Sequence, residues 1–183
     1  GYLALLNNQT DYNTAIGADA MKLNTTGAFN VAIGSSTLGQ NSTGSQNVGI
    51  GNGALFGSNG TSGDMNVAIG VNSGNRNRGL RNIGAESMNF VSTGGQNVAV
   101  GWRTLYNLYT GSNNTAIGYN ANVTSNSSSN NILLGAFATT SGNNQFVVGS
   151  SSVNAGAVTV TAAPQAKVWN VVINGVAQRI LLA

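Results

Sequence analysis

The sequence predicts an all-β solenoid, a flattened parallel β-roll wound in coils of about 17 residues. Three observations predict it. A glycine recurs at the close of an Asn-x-x-Ile/Val unit, apolar residues alternate with period two ahead of that glycine, and the chain carries very little charge.

The closing glycines are Gly17, Gly34, Gly51, Gly70, Gly84, Gly101, Gly118, Gly135 and Gly149, at successive steps of 17, 17, 19, 14, 17, 17, 17 and 14. The adjacent steps of 19 and 14 sum to 33, close to two ordinary steps. Each unit is expected to hold one strand, a turn, a second extended piece and a further turn. Val31/Ile33, Val48/Ile50, Val67/Ile69 and Val98/Val100 lie three and one before their glycines, on one strand face. That pair is expected to fill the roll. The small residues between them, Ala15, Ala32, Gly49, Ala68, Ala99 and Ala116, take the opposite face, and Leu133 and Val147 follow in the last coils. That stripe is expected to meet other subunits. Met21, Leu38, Leu55, Met88 and Leu105 come four after the glycine, and Gly27, Gly44, Gly63, Gly94 and Gly111 suit turns of positive φ.

Asn13, Asn30, Asn47, Asn66, Asn97, Asn114 and Asn131 precede the closing glycines by four residues. Stacked coil over coil, they form an amide ladder that satisfies buried turn groups. Helix is opposed by the glycine density and β-branched alternation. Three-sided rolls need longer coils, and hexapeptide helices show three short repeats per coil where this chain shows one.

Composition narrows the chemistry. Only 6% of the 183 residues are charged, and there is no cysteine and no histidine. That removes disulfides, the commonest metal ligands and the commonest general base. The carboxylates are Asp11, Asp19, Asp64 and Glu86, too dispersed for a glycosidase pair or a calcium roll. No enzyme activity, cofactor or metal is expected. No apolar run reaches the length of a membrane span.

The motifs NTAIG (13–17 and 114–118), NVAIG (30–34 and 66–70) and NVAVG (97–101) resemble the head repeats of trimeric autotransporter adhesins. NNTAIGYNANV (113–123) is similar to repeats of phage tail fibres and related virion proteins. The Thr-Thr-Gly and Ser-Thr-Gly spacers favour the phage-like variant, and the resemblance covers about residues 11–149. It implies a homotrimeric left-handed β-roll on a virion or outside the cell, used for attachment.

Outside the repeat, residues 1–10 are expected to form a terminal strand or to continue a longer fibre. Residues 150–183 are expected to form a β cap, because Asn174-Gly175 between KVWNVVI and VAQRILLA signals a two-residue hairpin.

Two clusters are candidate binding surfaces. Trp102 and Tyr119 each follow a closing glycine, one coil apart, with Arg103, Tyr106 and Tyr109 in the same stretch. They suit glycan contact, or else cross-strand or intersubunit packing. Arg76, Arg78 and Arg81 fall in the deviant repeat, with Leu80 where the ladder expects Asn, and are a candidate anionic-ligand patch or a solvated, charged coil. Asn-x-Ser/Thr sequons, Asn24 and Asn41 among them, follow from the composition.

The expected role is a structural and attachment segment of a phage tail fibre or related virion fibre. Its partners would be further copies of itself, extending to head-to-tail assembly, and a cell-surface glycan or receptor, with no nucleic acid. A bacterial trimeric adhesin head and a self-polymerising extracellular filament are the alternatives.

Overall fold

The computed structural model describes residues 1–57, 64–74, 80–91 and 93–150, with the backbone alone for 80–82, 167–173 and 176–182. Among the described residues there is no helix. One wall of the solenoid is a nine-stranded parallel sheet. Its strands are β1 (Thr14–Ile16), β2 (Val31–Ile33), β3 (Val48–Ile50), β4 (Val67–Ile69), β5 (Leu80–Ile83), β6 (Asn97–Val100), β7 (Thr115–Ile117), β9 (Ile132–Leu134) and β11 (Phe146–Val148). Each strand pairs with the one before it, and equivalent repeat positions sit opposite each other: Ala15, Ala32 and Gly49 form one row. The register survives the shortened coil, where Ile69 lies opposite Ile83. Length variation is therefore absorbed outside the strands.

The faces of this sheet are the reverse of the sequence expectation. Ala32, Ala68, Ala99 and Ala116 are fully buried and belong to the interior, as is Leu133, with Val147 packed against it. Gly49 is buried and Ala15 packs against the same core. The stripe from Ala32 to Leu133 is thus turned away from any other subunit wherever it is fully buried, and only Ala15 and Val147, near the two ends, keep partial exposure. The Val/Ile pairs point outward instead, and Ile16, Ile83, Ile117 and Val148 are exposed. The reason is thickness. Met21, Leu38 and Leu55 reach across from the opposite wall, as do Met88 and Leu105 farther along, all buried. A large side chain from one wall leaves room only for alanine or glycine from the other.

The opposite wall also departs from expectation. Among the described residues it is a series of tight turns for most of its length and becomes extended only at β8 (Asn122–Val123) and β10 (Thr139–Thr140), which pair in parallel. In the turns, Met21, Leu38, Leu55 and Leu105 hold φ of 51–53°. Left-handed backbone is costly for such residues. It is held by coil-to-coil bonds, such as Leu38 N–H to Ala54 O at 2.9 Å and Leu55 N–H to Ser73 O at 3.0 Å.

Glycine has two distinct duties. At the closing position, Gly34 and Gly101 take φ of 131° and 132°, a region L-residues avoid. At the Thr-Gly turns the expected positive φ does not occur. Gly27, Gly94 and Gly111 are required by close approach, because an added Cβ would strike the carbonyl oxygen of Gly44, Gly111 and Ser128 respectively. Gly63 lies outside the described residues.

Residues 1–10 form no strand. They stack as the back wall of a further coil, with Leu5 N–H on Ala20 O and Gln9 N–H on Thr25 O, both at 3.0 Å. After the roll, β12 (Lys167–Ile173) and β13 (Val176–Leu182) pair antiparallel with Ile173 opposite Val176. Asn174 and Gly175 lie outside the described residues.

Candidate functional site

The strand wall carries an amide ladder along its inner edge. Asn30 Oδ1 accepts both the backbone N–H (2.9 Å) and the side-chain amide (3.1 Å) of Asn47. The same double bond joins Asn13 to Asn30, Asn47 to Asn66, Asn97 to Asn114 and Asn114 to Asn131. The second amide proton goes to a turn carbonyl, as from Asn30 to Gly44 O (2.9 Å) and Asn114 to Ser128 O (2.8 Å). Only an amide of this length supplies two donors and an acceptor there, so aspartate would not serve. The ladder is interrupted at Leu80, which pairs by backbone register with Asn97. Asn24 and Asn41 form a second ladder: Asn24 donates to Asn8 Oδ1 at 2.6 Å and Asn41 to Asn24 Oδ1 at 2.9 Å. Both are fully buried, so neither sequon is open to modification in the folded chain. Their spacing of 17 was the signal for this second row.

On the outside, the residue just before each closing glycine is apolar in all nine coils: Ile16, Ile33, Ile50, Ile69, Ile83, Val100, Ile117, Leu134 and Val148. This row rises about 4.8 Å per coil. The parallel row two residues earlier is apolar at Val31, Val48, Val67, Val98, Ile132 and Phe146, and polar at Thr14, Thr115 and, by register, Arg81. Arg76 and Arg78 lie outside the described residues.

The aromatic cluster lies at one margin of this face. Trp102 and Tyr119 stack with centroids 5.0 Å apart and planes 22° apart, and Phe137 meets Tyr119 edge-on at 5.1 Å. The Arg103 guanidinium lies 5.2 Å from the Trp102 centroid and 4.2 Å from that of Tyr106, and its Nε is 3.4 Å from Glu86 Oε2. Phe90 closes the group against Tyr106 at 4.9 Å. Four of the five predicted residues are thus brought together, while Tyr109 is exposed and makes no ring contact with them. Because the rings stack on each other, Trp102 and Tyr119 offer chiefly their edges outward. Sugar stacking wants a free ring face. Arg103 is engaged by Glu86 and two rings, which leaves it poorly placed to seize an anion.

The carboxylates are dispersed. Asp19 pairs with Lys22 at 3.2 Å, Glu86 with Arg103, and Asp64 Oδ1 accepts the Ser45 N–H at 2.7 Å. Among the described residues, no three acidic groups converge on a common point. The ring-and-amide surface can bind by contact.

No protein-family model matches the chain, and no curated protein or solved structure matches it significantly.

Proposed function

We propose that the chain is a structural and attachment segment of a homotrimeric, left-handed fibre of the phage tail-fibre kind. The observation that carries this reading is the unbroken outer row of nine Ile, Val and Leu side chains on the strand wall. Monomeric proteins rarely leave so long an apolar stripe in water. Three copies turned about an axis parallel to the roll would bury it. The roll would then act as a stiff shaft, with the turn wall facing outward.

Receptor or glycan contact falls to that outward wall, where Tyr109 is 48% exposed and Phe90 and Tyr106 adjoin Arg103. With Arg103 already paired, a neutral glycan suits this surface better than an acidic one. The hairpin β12–β13 serves as the cap of the roll. The test has two parts. Light scattering should give three times the chain mass of 18.5 kDa. A Tyr109→Ala variant that keeps this mass should lose binding to host cells or neutral glycan arrays. A monomer would reject the shaft, and undiminished binding would reject the surface.

A further inference from the structure

The outer strand face has two margins, the residue five before each closing glycine and the residue one after it. In four coils they vary in opposite senses, while Met65 and Val71 make both margins apolar and exposed in the coil that closes at Gly70. Tyr12 and Phe29 stand on the first margin where the second holds Ala18 and Ser35. Gln96 and Asn113 stand on the first where the second holds Trp102 and Tyr119. In no described coil are both margins aromatic.

The first margin carries a second clue. Tyr12 and Phe29 stack with centroids 4.8 Å apart and planes 2° apart, yet remain 75% and 57% exposed. They hold φ of 64° and 60°, where later coils place Asn113, Asn130 and Asn144 at 59–60°. Left-handed backbone costs a bulky residue roughly 1–2 kcal/mol, whereas Asn tolerates it. Every described coil holds this position at positive φ, Gln46, Met65 and Gln96 included, so the two rings fill a costly site where Asn would serve, and inside the protomer they gain only their mutual stack.

We propose that the margins interlock between neighbouring copies at the same level. Tyr12 and Phe29 of one protomer would lie over Ala18 and Ser35 of the next, and Trp102 and Tyr119 over Gln96 and Asn113. The proposal rests on the self-association reading above and adds its orientation and register. When copies are related by rotation about an axis parallel to the roll, every strand runs the same way round that axis. The leading margin of one copy then meets the trailing margin of the next, a heterologous contact. Antiparallel rolls would instead set like margins together. Closed rotation leaves no axial offset between copies, so each coil meets its own equivalent in the next protomer.

Cysteine pairs test this. Gln46→Cys with Asn52→Cys places one thiol on each margin of one coil, at exposed positions outside the aromatic stacks. The two flank the strand Val48–Ile50, and a link within one protomer would leave a single-chain product, so only a link between copies raises the covalent mass. The reagent should give a covalent product with as many chains as the native assembly, while either single variant gives none. Phe29→Cys with Ser35→Cys should behave alike and guards against a fault peculiar to one coil. If the assembly keeps its mass and neither pair links, or Gln46→Cys alone links, the margin pairing is wrong and self-association stands. A mass of 18.5 kDa in light scattering overturns both.

Discussion

Asn30 and Asn41 donate their side-chain amides to one acceptor, the carbonyl oxygen of Gly44, at 2.9 and 3.0 Å. The two ladders thus meet at a turn, one from each wall of the roll. Asn13 and Asn24 do the same at Gly27 O, both at 2.8 Å. Toward the C-terminus the second ladder gives way to buried Val91 and Leu108, and among the described residues Gly111 O accepts a side-chain amide from Asn97 alone, at 2.9 Å. Hydrogen bonding is exchanged for apolar packing along one solenoid.

That exchange orders the cost of removing a ladder amide. Asn30→Ala strands the backbone N–H and one side-chain amide proton of Asn47, but Gly44 O keeps Asn41. Asn97→Ala strands the same groups of Asn114 and also bares Gly111 O. Each buried unpaired group costs about 1–3 kcal/mol. Both variants should lose at least about 2 kcal/mol in denaturant unfolding, with Asn97→Ala about 1 kcal/mol worse. Equal losses would mean the turn carbonyls find other donors.

The glycines separate as sharply. Gly111→Ala would drive a methyl into the Ser128 carbonyl of the next coil, where backbone cannot yield, and should prevent folding. At Gly95, by contrast, an added Cβ meets nothing within 4 Å. Gly95→Ala should be neutral or stabilise by up to about 1 kcal/mol through the unfolded chain. Thermal melts of the two proteins check this directly.

The repeat, the parallel stacking and the Asn row were legible because each is periodic in sequence, and a solenoid converts period into position. The two faces of the strand were harder, since alternation alone does not say which face is inside. The deciding clue lies in Asn47 and Gly49. Residues two apart on a strand share a face, so a buried Asn implies that the small residue after it is buried too. The left-handed turns of Met21 and Leu38 had no sequence signature, because neither residue favours positive φ. Trp102 and Tyr119 were legible as neighbours from their shared offset, and the same arithmetic pairs Arg103 with Glu86, each two residues after a closing glycine and 17 apart.

Stability should not depend on divalent metal. Asp19, Asp64 and Glu86 are each engaged by a different protein group, and Asp11 is exposed on a turn. Calcium prefers several oxygen ligands, carboxylates chief among them. A chelator should leave the melting temperature unchanged. A drop would reveal a site built from turn carbonyls and amides.

Neighbouring residues of one strand distinguish fold from assembly. Ala32 points into the roll with no exposed surface, packed in the cluster that holds Met21 and Leu38. Arginine there would bury a charge without a partner, which a thin interior cannot accommodate. Ala32→Arg should therefore fail to fold. Ile33, the next residue, points outward in the apolar row. Ile33→Arg leaves the interior and both amide ladders untouched, so the β signature in circular dichroism should persist. In the assembly, however, rotational symmetry repeats the substitution in every copy at one level and brings like charges together around the axis. The expected result is a folded chain whose mass falls to 18.5 kDa in light scattering. Lysine in place of Thr43, an exposed turn residue away from that row, should change neither quantity. An Ile33→Arg protein that keeps the wild-type mass would show that the outer row is not where the copies meet.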